Sequence, residues 1–86
     1  MNTLEIICDY IRREASYTGD IPVDADLLEQ HILDSFNIVQ LAMFLEERFD
    51  LELDPSDVVR ENLSSLSRIV ALVERKQAGR AQPQHN

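Results

Sequence analysis

The stretch SFNIVQLAMFLEERF, residues 35–49, constrains this chain more than any other. Val39, Ala42, Leu45 and Phe49 recur at helical spacing on one face, and Ile38, Leu41 and Phe44 widen the stripe until most of the circumference is apolar. Such a helix is expected at the centre of a fold, touching other elements on several sides. Two glycines and three prolines in 86 residues are too few for a turn-rich β design, and a 44% apolar fraction suits an ordinary globular domain. The expected fold is all-α.

The other helices are read from caps and periodicity. Leu4, Ile7, Cys8, Ile11 and Ala15 fall at helical spacing, and Asn2 with Glu5 three residues later forms a capping box, which predicts a first helix over about 3–16. Between Tyr17 and Leu33 no period persists, and Gly19, Pro22, Asp20, Asp24 and Asp26 mark a long loop. A loop of that length needs either a function or anchors of its own, here Ile21, Val23, Leu27, Leu28, Ile32 and Leu33. Asp54 as cap, Pro55 at the first helical position and Asp57 at the third predict a short third helix over about 55–61. Ser64 or Ser65 caps a fourth helix carrying Leu66, Ile69, Val70 and Val73, with Arg75 and Lys76 expected at its negative end. The closing AGRAQPQHN has no core residues. The expected organisation is therefore a single domain over 1–77 with a flexible tail over 78–86, built as a four-helix bundle with a long first loop and a short third helix.

Charge and cysteine usage narrow the partners. Sixteen acids against eight Lys plus Arg give a formal charge of −8, which repels phosphate backbones and anionic lipid surfaces and attracts partners with basic faces. Nucleic acid and membrane insertion are not expected, and like-charged copies repel, so a monomer is. A lone cysteine, Cys8, leaves the fold to packing and suits a reducing compartment. The opening MNTLEIICDYIRREA lacks the features of a signal peptide, and no apolar run is long enough to span a bilayer, so the expected location is cytoplasmic.

Catalytic chemistry is hard to assemble from these residues. The two histidines are His31 and His85. A Ser35–His31 dyad lacks an acid placed to orient the imidazole, so His31 reads as a solvated loop residue. Cys8 lies on an apolar helix face, as a core residue would. Asp20, Asp24 and Asp26 alternate as in a calcium loop without its central glycine or terminal glutamate, and neither a histidine pair nor a cysteine pair suggests a metal site.

That leaves Ser35. Asp34 and Ser35 both belong to the set of residues that cap helices, a contribution of about 0.5–2 kcal/mol. A hydroxyl at the first turn of a helix also sits beside free backbone N–H groups at the positive end of the dipole, where a phosphate ester is favoured.

LDSF, then xxVxLxxxLEERFxLxL, then DPSDV, then ENLSSLxxIVxLV, resembles the acyl and peptidyl carrier protein family across about residues 3–76. The resemblance implies a non-enzymatic four-helix bundle bearing a covalent 4'-phosphopantetheine arm on Ser35. It implies a phosphopantetheinyl transferase that installs the arm from coenzyme A, with Asp34 helping to bind the divalent metal in that complex. The arm's thiol would hold an acyl or aminoacyl group as a thioester. An activating ligase would load it and downstream acyl-processing or transfer enzymes would use it. Partner contacts carried over by position are Phe36, Gln40, Met43 and Glu47 on the second helix, and Asp57 and Val58 on the third.

Phe36, Asn37 and Gln40 depart from the leucine and the acids usual in fatty-acid carriers. ILDSF and EERFDLEL resemble instead discrete carriers of polyketide or nonribosomal peptide pathways, or the D-alanyl carrier of teichoic acid modification. An unmodified adaptor binding a partner through the second helix, and a small hydrolase using Ser35 and His31, are the readings from other classes.

Overall fold

The computed structural model describes residues 2–81, with side chains described through residue 78. Four helices, α1 (Thr3–Glu14), α2 (Ser35–Phe49), α3 (Arg60–Leu63) and α4 (Leu66–Ala81), make an all-helical fold among the described residues. At the start of α1 the Asn2 side chain accepts the Glu5 N–H at 2.8 Å, and Glu5 Oε1 accepts the Asn2 N–H at 3.1 Å. The helix stops at Glu14, before the expected Ser16, because Ser16 takes a left-handed φ of 52°.

The long loop is held to the bundle by both side chains and backbone. Ile21, Leu27 and Leu33 are buried in the core, whereas Val23, expected as an anchor, is 43% exposed and contributes its carbonyl to the Ser67 N–H instead. Leu27 donates its N–H to the Ser64 carbonyl, and Ser67 Oγ donates to Asp24 at 2.9 Å. Asp26 Oδ1 accepts the N–H groups of Leu28 and Glu29 and so starts a tight turn, after which Ile32 and Leu33 both donate to the Leu27 carbonyl. These contacts make the loop a wall of the bundle.

The hub of the fold is α4, which packs against each of the other three helices. Leu66, Ile69, Leu72 and Val73 are fully buried, joined in the core by Ile7 and Ile11 of α1, Leu41 and Leu45 of α2, and Leu63 of α3. Burying each such side chain contributes about 1.5–3 kcal/mol. The central place expected for α2 is thereby corrected. That helix buries Ile38, Leu41, Ala42 and Leu45, while Phe36, Val39 and Met43 are 68%, 54% and 63% exposed. At 100° per residue these three fall together on the side opposite the buried stripe.

Two further expectations are corrected. Residues 55–57 form a turn, and the helix after it begins only at Arg60, because Val59 is extended at φ −131° and ψ 159°. In that turn the Asp57 carboxylate accepts the Asp54 N–H at 2.8 Å. Lys76 is also not at the negative end of α4, which runs on to Ala81; its ammonium reaches back to Asp57 at 2.6 Å and pins the turn to the hub. The cap of α4 is Ser65, whose hydroxyl accepts the Arg68 N–H at 3.3 Å. With α4 ending at Ala81, the helix enters the stretch read as a tail, and the rest of that stretch, 82–86, lies outside the described residues.

Candidate functional site

The position of Ser35 follows from which residue caps α2. Asp34 is extended at φ −121° and ψ −179°, its carboxylate accepts the Asn37 N–H at 2.9 Å, and Asn37 Oδ1 accepts the Asp34 N–H at 3.1 Å. This is a capping box closed by asparagine rather than by glutamate or glutamine. The cap belongs to Asp34, so Ser35 is the first helical residue, exposed and not needed to hold the helix start. The N–H groups of the first turn have no carbonyl partners within the helix, and that turn contains no acid. The hydroxyl therefore lies at the positive end of the α2 dipole, beside the Asp34 carboxylate that caps it through the Asn37 N–H.

An open groove of about 560 Å³ lies beside this hydroxyl, lined by Leu28, His31 and Leu33 from the loop, Asp34, Ser35, Ile38 and Val39 from the start of α2, and Val58 and Arg60 from the connector and α3. Its lining is mostly apolar. From the groove lining Arg60 reaches Asp26 at 3.2 Å, tying the long loop to α3. Asp26 is held below the ordinary carboxylate range first by the Glu29 backbone N–H, and to a lesser degree by Arg60 and the Leu28 N–H. His31 is exposed, with a left-handed φ of 60° at the end of the turn.

The residues expected to meet partners divide between different places. Asp34 and Val58 line the groove beside Ser35. Gln40, Met43 and Glu47 line a separate hollow on the other side of α2, together with Tyr10, Phe44 and Glu46. Two of its lining residues, Tyr10 and Phe44, stack with ring centroids 3.9 Å apart. Burial, and then the nearby Glu14 charge, raises the Tyr10 phenol above its ordinary value. Phe36 lines neither hollow and stands out beside Ser35 as the most exposed large apolar side chain.

Asp57 and Val58 are not on a helix, and their side chains already have structural work. Val58 packs against the core. The Lys76 ammonium, and then the Asp54 N–H, hold Asp57 below the usual carboxylate range, and Asp57 in turn raises Lys76. Val39 and Arg60 were missed by sequence reasoning. Val39 was assigned to the buried face, although its spacing of four from Ser35 places both on one side of α2. For Arg60, far along the chain, there was no local signal.

The remaining candidates are absorbed by the fold. Cys8 is half-buried against the core. Asp24 and Asp26 are engaged as described, and no group of three metal-ligating side chains comes together among the described residues. Among the same residues no helix is long and apolar enough to cross a membrane.

Residues 4–73 match the family profile described as "Phosphopantetheine attachment site". The chain is 41% identical over 54 residues to the D-alanyl carrier proteins of Lactococcus lactis subsp. cremoris and of subsp. lactis, covering 63% of this chain and 68% of theirs. It is 31% identical over 75 residues to the acyl carrier protein of Campylobacter hominis, covering 86% of this chain and 92% of that one. No solved structure matches.

Proposed function

We propose, from the premise that this chain belongs to the phosphopantetheine-attachment family of carrier proteins, that Ser35 is the residue bearing the arm. The protein is a carrier with a covalent 4'-phosphopantetheine, not an enzyme. The single observation that carries the assignment to Ser35 is the identity of the cap: Asp34 does the work that would otherwise explain a serine here. The local chemistry suits the group. Ser35 offers an exposed hydroxyl, the first turn of α2 offers backbone N–H groups that favour an attached phosphate, and the groove offers apolar walls of Leu33, Ile38 and Val58 along which an arm can lie. When bound, the arm supplies a thiol that holds acyl groups as thioesters.

The chain's own residues then divide the labour. Asp34 fixes the direction of the first turn, and with it the Ser35 hydroxyl, and in the transferase complex its remaining acceptor capacity is available to the divalent metal. Phe36, Val39 and Met43 give an apolar stripe that follows Ser35 along α2, suited to docking enzymes that must reach the arm. Gln40 and Glu47 flank Met43. Asp57 and Val58 act on partners through the shape of the connector, since the one is bonded to Lys76 and the other packed. Tethering one intermediate on a small acidic domain replaces diffusion with a high local concentration at each partner.

The partners are a phosphopantetheinyl transferase, an acyl- or aminoacyl-activating ligase, and downstream acyl-processing or transfer enzymes. The setting is cytoplasmic, the carrier is a monomer, and the carrier domain, expected over 1–77, takes in the whole of α4 to Ala81. Phe36, Asn37 and Gln40 favour a specialised pathway of the polyketide or nonribosomal peptide type. The likeness to D-alanyl carriers supports a second reading, in which the cargo is D-alanine for teichoic acid modification.

Incubation of the apo protein with coenzyme A and a promiscuous phosphopantetheinyl transferase tests the assignment by intact mass. A gain of one phosphopantetheine, absent in Ser35→Ala, is expected; no gain with several transferases would leave an unmodified adaptor as the better reading. Offering the holo protein to a D-alanine-activating ligase and to acyl- and aminoacyl-activating ligases separates the cargoes.

A further inference from the structure

The groove beside Ser35 carries a feature that the apolar stripe does not explain. The molecule has a formal charge of −8, yet the lining of this groove includes the permanent cation Arg60 and His31 beside the single acid Asp34. Arg60 is bound only loosely. Its side chain is 58% exposed, and its partner Asp26 has its other oxygen satisfied by two backbone N–H groups. Asp26 therefore keeps its charge and its turn without Arg60, and an exposed pair of this kind contributes little to stability.

We infer that Arg60 is a positioning residue for the arm: its guanidinium exchanges Asp26 for the phosphodiester formed on Ser35, holding the arm over the groove. The inference rests on the assignment of the arm to Ser35. A guanidinium suits this exchange because it keeps its charge at any working pH and presents several donors in one plane, a fork that matches the oxygens of a phosphate as it matches those of a carboxylate. The neighbouring first-turn N–H groups of α2 favour the same negative charge, so the phosphate meets donors from two elements that the loop brings together. The apo protein holds the cation beside the groove by means of Asp26. Modification then turns a tie between loop and α3 into a tie between arm and α3.

Phosphorus NMR of the holo protein reads this contact directly. In wild type the phosphodiester resonance is expected to move between low salt and about 1 M salt, where screening acts over roughly 3 Å. In Arg60→Gln it is expected to sit at the high-salt position throughout, and in Arg60→Lys between the two. Asp26→Asn, which releases Arg60 from its storage partner, is expected to keep or enlarge the low-salt shift. Identical phosphorus shifts in wild type and Arg60→Gln at low salt would overturn the inference. Matching urea melts of the two apo proteins establish that the variant is folded. If Ser35 is not the attachment residue, the Ser35→Ala protein still gains the arm by mass, a failure distinguishable from an unmoved resonance.

Discussion

Removing the Asp34 carboxylate and removing the Ser35 hydroxyl should have opposite effects on folding, although the two residues are neighbours of similar capping propensity. Asp34→Ala deletes the acceptor that holds the Asn37 N–H at 2.9 Å and leaves only the reverse half of the capping box. Loss of a cap costs typically about 1 kcal/mol, within a range of about 0.5–2. For a domain of this size that lowers the melting temperature by roughly 4–8 °C per kcal/mol, a readily measured shift. Ser35→Ala deletes an exposed hydroxyl at the first helical position, where alanine is the better helix former, so its stability should stay within about 0.5 kcal/mol of wild type or rise slightly. Asp34→Asn completes the set, because an amide oxygen caps as well as a carboxylate while the charge is gone. Urea unfolding should place Asp34→Asn near wild type and Asp34→Ala below it. Transfer of the arm should fail completely in Ser35→Ala and be slowed in Asp34→Asn. If Ser35→Ala were the destabilised variant and Asp34→Ala the neutral one, the cap would belong to Ser35 and the reason for singling out its hydroxyl would be gone.

Val39→Ser should leave unfolding within about 0.5 kcal/mol of wild type yet lower kcat/KM of a downstream enzyme for the loaded carrier by about tenfold, the equivalent of roughly 1.4 kcal/mol of lost apolar contact; unchanged steady-state rates would remove Val39 from the docking stripe. Leu72→Ala, in the hub helix, should cost about 2–5 kcal/mol by urea titration, and a loss below 1 kcal/mol would contradict the central place of α4. Melting followed against pH should show the depressed carboxylates. Asp57, held down first by Lys76, and Asp26, held down first by the Glu29 N–H, contribute stability that is complete above their ordinary value of 3.8 and is lost as pH falls through their lower folded values. Lys76→Met should therefore diminish the acid-side loss without abolishing it, and an unchanged acid profile in that variant would deny the Asp57 contact. At the alkaline end the sign reverses: the raised Lys76 contributes fully below 10.5, and that contribution fades as pH rises through its higher folded value.

Much of the helical framework was local information. The α1 capping box, the whole extent of α2 and the serine cap of α4 are interactions between residues three or four apart, and such pairs can be read along a chain. The DSF motif, and its setting after a long loop and before an apolar helix, brought the family and the arm into view for the same reason. Where two local readings competed, only partners distant in sequence decided. Asp57 reads as a helix-start acid until Lys76 arrives from α4, and the 55–61 segment reads as a helix until Val59 is drawn into extended backbone.

By itself, then, the sequence determined an all-helical carrier domain, the starts of α1, α2 and α4, and a serine that stands at the head of α2. The tertiary structure decided which apolar residues of α2 face inward, because periodicity gives the faces of a helix but not the direction of its neighbours. With α4 as the hub, one stripe is covered and Phe36, Val39 and Met43 are left outside. It also decided what surrounds the hydroxyl. Arg60 and Leu28 share a groove with Ser35 only because the loop is bound to the start of α4, a packing arrangement no spacing rule encodes.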